Sequence, residues 1–127
     1  MLWHFNNELP IYSQLVEQIR RAIAAGELEP GARLASVRDL SVEAGVNPNT
    51  MQRAMQQLER EGLVYAQRSN GRFVTEDTAV IGRAREKLAG EHVRHYRAEM
   101  QSLGFSEREM ISLLAGGGEE DDNGLLS

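Results

Sequence analysis

Four polar side chains at helical spacing could read the edges of nucleic-acid bases. They are Asn49, Gln52, Arg53 and Gln56. Asn and Gln side chains form paired hydrogen bonds with adenine, and Arg forms them with guanine. The same residue types are common on solvated helix surfaces, so this set alone is about equally consistent with base recognition and with an ordinary exposed face.

Arginines on both sides of this segment could neutralise phosphate charge. Arg38 precedes it, and Arg68 and Arg72 flank Asn70-Gly71. Residues 31–75 contain six arginines and four acidic residues, a net charge of +2, although the whole chain carries −5. Because affinity for DNA depends largely on phosphate neutralisation, the local charge is compatible with a polyanionic partner.

The excess negative charge lies near the carboxyl terminus. Glu119, Glu120, Asp121 and Asp122 supply four of the five excess charges, between glycines. This composition predicts a disordered acidic tail over residues 116–127. A solvating tail is favoured over a DNA-mimicking, autoinhibitory segment.

Local signals predict two short helices joined by three residues. Ser36 can cap the first helix, with Asp39 three residues later, and Gly45 suits the positive φ at its end. Asn47 and Pro48 are typical of the start of the second helix. That helix has apolar residues at positions i, i+3, i+4 and i+7: Met51, Ala54, Met55 and Leu58. Burial of this stripe would turn the four base-reading candidates outward.

A β-hairpin is predicted after the second helix stops at Gly62. Residues 63–66 and 72–75 are rich in β-branched and aromatic types, and Asn70-Gly71 is a strong hairpin signal. Two helices and a basic hairpin predict a winged helix-turn-helix, in which the second helix enters the major groove. The candidate DNA-binding residues are Arg38, Asn47, Asn49, Thr50, Gln52, Arg53, Gln56, Arg68, Ser69, Asn70, Gly71 and Arg72.

An amino-terminal helix is expected to cover the back of this motif. Pro10 opens it and Gly26 follows its end. Its apolar residues recur every four positions: Ile11, Leu15, Ile19 and Ile23. Before it, Trp3, His4 and Phe5 form a short extended arm whose aromatic rings are expected to pack against the domain.

Five ordered motifs carry a family resemblance. They are Pro10-Ile11-Tyr12-Ser13-Gln14-Leu15, Gly26-Glu27-Leu28-Glu29-Pro30-Gly31-Ala32-Arg33-Leu34, Ser36-Val37-Arg38-Asp39-Leu40, Val46-Asn47-Pro48-Asn49-Thr50 and Leu58-Glu59-Arg60-Glu61-Gly62-Leu63-Val64. Together they resemble the amino-terminal domain of GntR-family bacterial transcription regulators, over about residues 8–76. The sequence departs from the family pattern at Ala35, where Pro is usual, and at Ser69 and Arg72, where Gly and Thr are common.

The resemblance implies that Arg38 contacts DNA. Its place in the first turns of the helix that crosses the DNA backbone is compatible with this role. The alternative is that Arg38 pairs with Glu43 or Glu59 within its own domain.

The carboxy-terminal region is predicted to be helical. A long helix over about residues 78–103, ended by Gly104, precedes a short one that Ser106 and Glu109 start with a capping box. About 38 residues are too few to enclose a ligand cavity of roughly 300–1,000 Å³. Residues 103–111 resemble the tail of the YtrA subgroup, the smallest GntR regulators, whose two carboxy-terminal helices form the dimer.

Apolar residues on these two helices also predict a homodimer. They present more apolar surface than two helices can hide in each other, so a second copy is the expected cover. The dimerisation candidates are Leu88, Val93, Tyr96, Met100, Leu103, Met110, Leu113 and Leu114. We therefore predict an α+β protein with a winged helix-turn-helix DNA-binding domain over 1–76, a short all-helical dimerisation region over 77–115 and the acidic tail.

Enzymatic and metal sites are not expected. The chain has no cysteine, and no catalytic triad or glycine-rich phosphate loop is evident. His92, His95 and Glu99 share a helix face at a spacing that could bind metal, but such residues on a charged helix are usually solvated, so no metal or cofactor is predicted. Without a membrane-spanning run or signal-peptide pattern, a cytoplasmic protein is expected.

These features together predict a homodimeric, sequence-specific regulator of transcription. A repressor that occludes a palindromic operator in double-stranded DNA is favoured, with no effector identified. Resemblance to the YtrA subgroup implies that the target operon often encodes ABC-type transporters. The alternative is a winged-helix adaptor that binds another protein through the same outward face. Salt-dependent binding to duplex DNA would distinguish the two, because an adaptor would not bind DNA.

Overall fold

The computed structural model describes residues 1–117. In that part of the chain the helices are α1 (Ile11–Ala24), α2 (Val37–Ala44), α3 (Pro48–Arg60), α4 (Thr78–Ser102) and α5 (Glu107–Ser112). Strands β1 (Val64–Ala66) and β2 (Arg72–Val74) enclose a 3₁₀ turn at Arg68–Asn70, and a π-helical turn, Leu113–Gly117, follows α5. The chain forms two compact units, Met1–Lys87 and a second that begins at Leu88.

The first unit is built on apolar faces of α1 and α3. The predicted stripe on α3 is confirmed, since Met51, Ala54, Met55 and Leu58 are all fully buried. α1 buries Leu15, Ile19 and Ile23 in the same core. Ile11, at the first turn of α1, is 37% exposed. This packing fixes which side of α3 faces outward.

Both helices of the motif begin as predicted, and α2 also ends as predicted. The Ser36 side chain accepts a hydrogen bond from the Asp39 amide at 3.1 Å, and Asn47 Oδ1 accepts one from the Asn49 amide at 2.7 Å. Gly45 has a φ of 70°, which ends α2 in the left-handed region that glycine adopts at no steric cost. Three residues therefore separate α2 from α3.

The hairpin is antiparallel and gains a third segment. Val64 pairs with Val74, and Tyr65 pairs with Phe73. Residues 31–34 run along the other edge of β2, where the Val74 amide bonds to the Ala32 carbonyl at 2.9 Å and Arg33 forms a bridge with Phe73. The sequence did not predict this pairing, because Pro30-Gly31 is typical of a loop.

The amino-terminal arm lies against the first unit, as expected. The rings of Trp3 and Phe5 are stacked with centroids 6.1 Å apart, and both pack against the core. Trp3 Nε1 donates to Glu43 Oε1 of α2 at 2.9 Å. The Gln18 side chain donates to the His4 carbonyl and accepts from the His4 amide. The arm is therefore attached to both α1 and α2.

The first turns of α4 belong to the first unit. Val80, Ile81 and Ala84 pack against its core, whereas the sequence predicted a domain boundary after Glu76. Asp77 Oδ1 accepts a hydrogen bond from the Ala79 amide at 3.0 Å, so α4 starts shortly after β2. The helix thus begins close to the core and stays with it to Lys87.

The second unit joins the later part of α4 to α5. The Tyr96 hydroxyl donates to the Met110 carbonyl at 3.3 Å, and Arg97 Nη2 lies 2.8 Å from Glu107 Oε1. The predicted capping box at Ser106 and Glu109 is confirmed. The backbone and side-chain hydrogen bonds that Ser106 makes lower the pKa of Glu109.

The acidic tail predicted over residues 116–127 lies outside the described residues from position 118 onward; Gly116 and Gly117 belong to the π-helical turn. Within residues 1–117, no helix combines the length and apolar character that crossing a bilayer requires.

Candidate nucleic-acid interface

The outward face of α3 collects the predicted base-reading residues. Asn49, Arg53 and Gln56 are exposed, and Thr50 and Gln52 are half-buried. A helix places residues i, i+3, i+4 and i+7 on one face, so Asn49, Gln52, Arg53 and Gln56 form one polar surface. Asn47 is also exposed, but its side chain already caps the helix.

Tyr12 of α1 joins this surface. The Arg53 guanidinium carbon lies 4.5 Å from the centroid of the Tyr12 ring, within the range of a cation–π contact. The Tyr12 hydroxyl donates to Gln57 Oε1 at 3.4 Å. Sequence patterns do not predict this role, because Tyr12 lies far from α3 along the chain.

Arg38 is exposed in the first turn of α2. Its two candidate partners within the domain interact with other residues: Glu43 accepts a hydrogen bond from Trp3, and Glu59 forms an ion pair with Arg72. Within residues 1–117 Arg38 forms no ion pair. Hydrogen bonds from Trp3 and from the amino group of Met1 lower the pKa of Glu43, so that carboxylate stays charged beside its own partners. The guanidinium of Arg38 therefore remains available to a phosphate.

The hairpin, here called the wing (residues 64–74), contains two arginines whose surroundings differ. Arg68, Ser69 and Asn70 are exposed at its tip. Arg72, which the sequence places at the interface, instead has its Nε 3.0 Å from Glu59 Oε1 of α3. These two side chains are 22% and 29% exposed.

Positive charge nevertheless remains around the helix-turn-helix and the wing. Of the six arginines in residues 31–75, Arg72 pairs with Glu59 and Arg60 donates to Gln57. The other four form no ion pair within the part of the chain that the structure describes: Arg33, Arg38, Arg53 and Arg68. They lie on α2, on α3, at the tip of the wing and on the segment that pairs with β2. Such a distribution suits a polyanionic ligand despite the overall negative charge.

The histidines considered as metal ligands are not assembled into a site. His95 Nε2 lies 3.7 Å from Glu99 Oε1, and both side chains are exposed. No group of three or more potential ligands converges within residues 1–117.

Known proteins resemble this chain over different lengths. YhcF of Bacillus subtilis strain 168, an uncharacterised HTH-type transcriptional regulator, is 36% identical over 107 residues, covering 84% of this chain and 88% of YhcF. The HTH-type transcriptional repressor YtrA of the same organism is 38% identical over 68 residues, covering 54% of this chain and 52% of YtrA.

Solved structures resemble it as well. A GntR-family transcriptional regulator from Listeria monocytogenes superposes with a TM-score of 0.82 and 34% identity, over 87% of this chain and 97% of that one. The DNA-binding domain of AraR, in complex with operator ORX1, superposes with a TM-score of 0.54 and 28% identity, over 59% of this chain and 96% of that one.

The family described as "Bacterial regulatory proteins, gntR family" matches residues 11–74, which include α1, the helix-turn-helix and both strands of the wing. The match spans half of the chain, and the likeness to YhcF extends over most of both proteins. The chain therefore belongs to the GntR family of bacterial regulatory proteins, which are DNA-binding regulators of transcription and not enzymes.

Proposed function

We propose that the protein is a homodimeric repressor that binds a palindromic operator through α3. One observation carries this proposal: α3 buries its entire apolar stripe and presents Asn49, Gln52 and Arg53 together on the opposite side. The AraR complex supports the assignment, because a related domain binds an operator.

The geometry of the helix-turn-helix motif supports direct reading of bases. In this motif the amino-terminal residues of the second helix contact base edges in the major groove. Gln52 and Arg53 lie one turn into α3, and Asn49 lies in its first turn. Gln and Asn would pair with adenine, and Arg would pair with guanine.

Arg38 and the wing tip are proposed to hold the DNA backbone. Arg38 is exposed at the start of α2, and Arg68 to Asn70 are exposed between the strands. Contacts to phosphate position a protein on the duplex without selecting a sequence. Arg38 and Arg68 should therefore contribute affinity for all DNA.

The second unit is proposed to form the dimer. Val93 is 49% exposed, and Leu103 and Leu114 are each 71% exposed. Exposed apolar residues grouped in one region are typical of an association surface. A single chain already buries Leu88 and Met110, and partly buries Tyr96, Met100 and Leu113. Val93, Leu103 and Leu114, which remain exposed, would thus form the centre of the dimer interface. Ile111, which is also exposed, extends the set predicted from the sequence.

Occlusion of the promoter is the proposed mode of repression. Two α3 helices would enter successive major grooves and block polymerase. Similarity to the repressor YtrA supports this direction of control. By analogy with the subgroup, the target operon is proposed to include ABC-type transporter genes. A cytoplasmic location is also proposed, in keeping with membership of a family of DNA-binding regulators.

Selection of duplexes from a random pool by the purified protein tests the proposal. We expect a palindrome whose half-sites are centred about 10 base pairs apart, or a multiple of that spacing. Recovery of no preferred sequence, or of a single unrepeated half-site, would contradict it. An adaptor would bind no duplex at any salt concentration.

Substitutions on α3 connect that result to particular residues. Gln52→Ala or Arg53→Ala should cost about 1–3 kcal/mol per half-site and relax base preference, because each removes a paired contact with a base. Gln101→Ala and Arg108→Ala are matched controls at exposed positions in the second unit. Parental binding by both α3 variants would show that α3 does not read the operator.

A further inference from the structure

We infer that Arg33, which pairs with β2 of the wing, and not Arg72, supplies a second cation beside Arg68 to the phosphate backbone of DNA. The inference rests on the proposed function in taking the wing to lie beside DNA. It differs from the sequence prediction, which placed Arg72 at the interface and did not include Arg33 among the DNA-binding residues.

Strand pairing places Arg33 on the outer face of the wing. Residues opposite each other in an antiparallel pair project to the same face. Arg33 lies opposite Phe73, and Phe73 lies opposite Tyr65, so these three side chains share one face. The Tyr65 and Phe73 rings are stacked there with centroids 5.7 Å apart. Val64 and Val74, one position away, are buried on the other face.

The guanidinium of Arg33 extends towards the end of the hairpin. A Cβ added to Gly71 would lie 3.4 Å from Arg33 Nε and 3.5 Å from Arg33 Nη2. Gly71 also has a φ of 92°, a conformation that other residues rarely adopt. Gly71 therefore lets the Arg33 side chain pass close to the backbone next to the exposed tip.

Arg33 is exposed and forms no ion pair within residues 1–117. A guanidinium presents N–H groups in a planar fork that fits two phosphate oxygens. Arg33 can thus bind a phosphodiester without first breaking another charged contact.

Arg72 lies on the opposite face of β2, because neighbouring residues of a strand alternate. Its Nε is 3.0 Å from Glu59 Oε1 of α3, and both side chains are more than two-thirds buried. The Glu59 carboxylate offsets the charge of the Arg72 guanidinium and would itself repel a phosphate brought to that position. The ion pair instead fastens the wing to α3.

The test compares variants that keep or remove each cation. Binding of the full chain to a fluorescently labelled duplex of mixed sequence is followed by anisotropy over a range of KCl concentrations. Arg33→Gln should reduce the magnitude of the negative slope of log K against log[KCl] by about one unit for each bound chain, because one phosphate contact is lost. Arg33→Lys keeps the charge and should keep the slope.

A double variant removes the ion pair without changing the net charge. Glu59→Gln with Arg72→Gln should leave the slope unchanged and lower the melting temperature. Arg108→Gln, at an exposed position in the second unit, controls for the loss of an arginine outside the first unit.

An unchanged slope for Arg33→Gln overturns the inference. A weaker salt dependence for the double variant than for the parent also overturns it, whatever slope Arg33→Gln shows. Arg38→Gln separates this failure from that of the proposed function: if the parent binds with a steep salt dependence that Arg38→Gln reduces, only the assignment of Arg33 is lost. Absence of salt-dependent binding by the parent would reject the proposed function itself.

Discussion

Arg53 on the outward face of α3 is covered by the ring of Tyr12 from α1, at 4.5 Å between the guanidinium carbon and the ring centroid. The Tyr12 hydroxyl in turn donates to Gln57 Oε1, which also accepts from Arg60 Nε at 3.1 Å. The orientation of a proposed base-reading side chain thus depends on a residue outside the helix-turn-helix.

Tyr12→Leu should therefore weaken operator binding through Arg53. The loss is expected to be about 0.5–1 kcal/mol per half-site, the strength of an exposed cation–π contact. Tyr12→Phe keeps the ring and should bind nearly as the parent does. In an Arg53→Ala background Tyr12→Leu should have no further effect, which a double-mutant cycle measures. Equal losses with and without Arg53 would instead indicate that Tyr12 contacts DNA or supports the fold.

Replacement of Arg38 should weaken binding to every DNA sequence. Arg38→Ala is expected to reduce the salt slope by about one unit for each bound chain, since one phosphate contact disappears. Because Arg38 forms no ion pair within residues 1–117, the melting temperature of the Arg38→Ala variant should match that of the parent. A lower melting temperature with an unchanged slope would assign Arg38 a structural role.

Leu103 provides a direct test of the proposed dimer. Leu103 is exposed in a single chain, so the fold should tolerate Leu103→Asp. In the proposed dimer the same carboxylate would lie within the apolar interface, where burial of an unpaired charge is strongly disfavoured. Light scattering at micromolar concentration should find a dimer for the parent and a monomer for the variant. Leu9→Asp, exposed in the first unit, is the control. A monomeric parent or a dimeric Leu103→Asp variant would contradict the proposal.

Arg20 and Glu61 should make stability sensitive to acid. Arg20 Nη2 lies 2.6 Å from Glu61 Oε2. Burial acts to raise the pKa of Glu61, but hydrogen bonds from Arg20 and Gln57 outweigh it and lower that pKa. The pair's contribution is therefore complete above the unfolded-state value of about 4.3 and disappears as pH falls through the lower folded-state value.

Glu61→Gln should thus cost about 1–2 kcal/mol near neutral pH, because the pair is partly buried and doubly hydrogen-bonded. The difference in melting temperature from the parent should shrink as the solution becomes more acidic than pH 4. Glu27→Gln, at an exposed position, is the control. A difference that stays constant down to acid pH would show that the charge of Glu61 does not stabilise the fold.

The helix-turn-helix was predictable from the sequence because its signals are local. Ser36 and Asn47 bond to amides three and two residues away, so each side chain and its partner appear together in the sequence. The contact of Tyr12 with Gln57 joins residues 45 positions apart, and that of Arg72 with Glu59 joins residues 13 apart. Such contacts depend on how elements pack, which periodicity and caps do not specify. The sequence therefore predicted the face of α3, but neither the contact of Tyr12 with Arg53 nor the pairing of Arg72 with Glu59.

Trp3 gives the helix-turn-helix an intrinsic optical reporter. It is the only tryptophan in the sequence, and its indole N–H donates to Glu43 on α2. Indole emission changes with the polarity and hydrogen bonding around the ring, so detachment of the arm from α2 would register as a shift in the fluorescence spectrum of the unlabelled protein. The attachment of the arm to α2 can thus be followed during DNA titrations without a dye on the proposed DNA-binding surface.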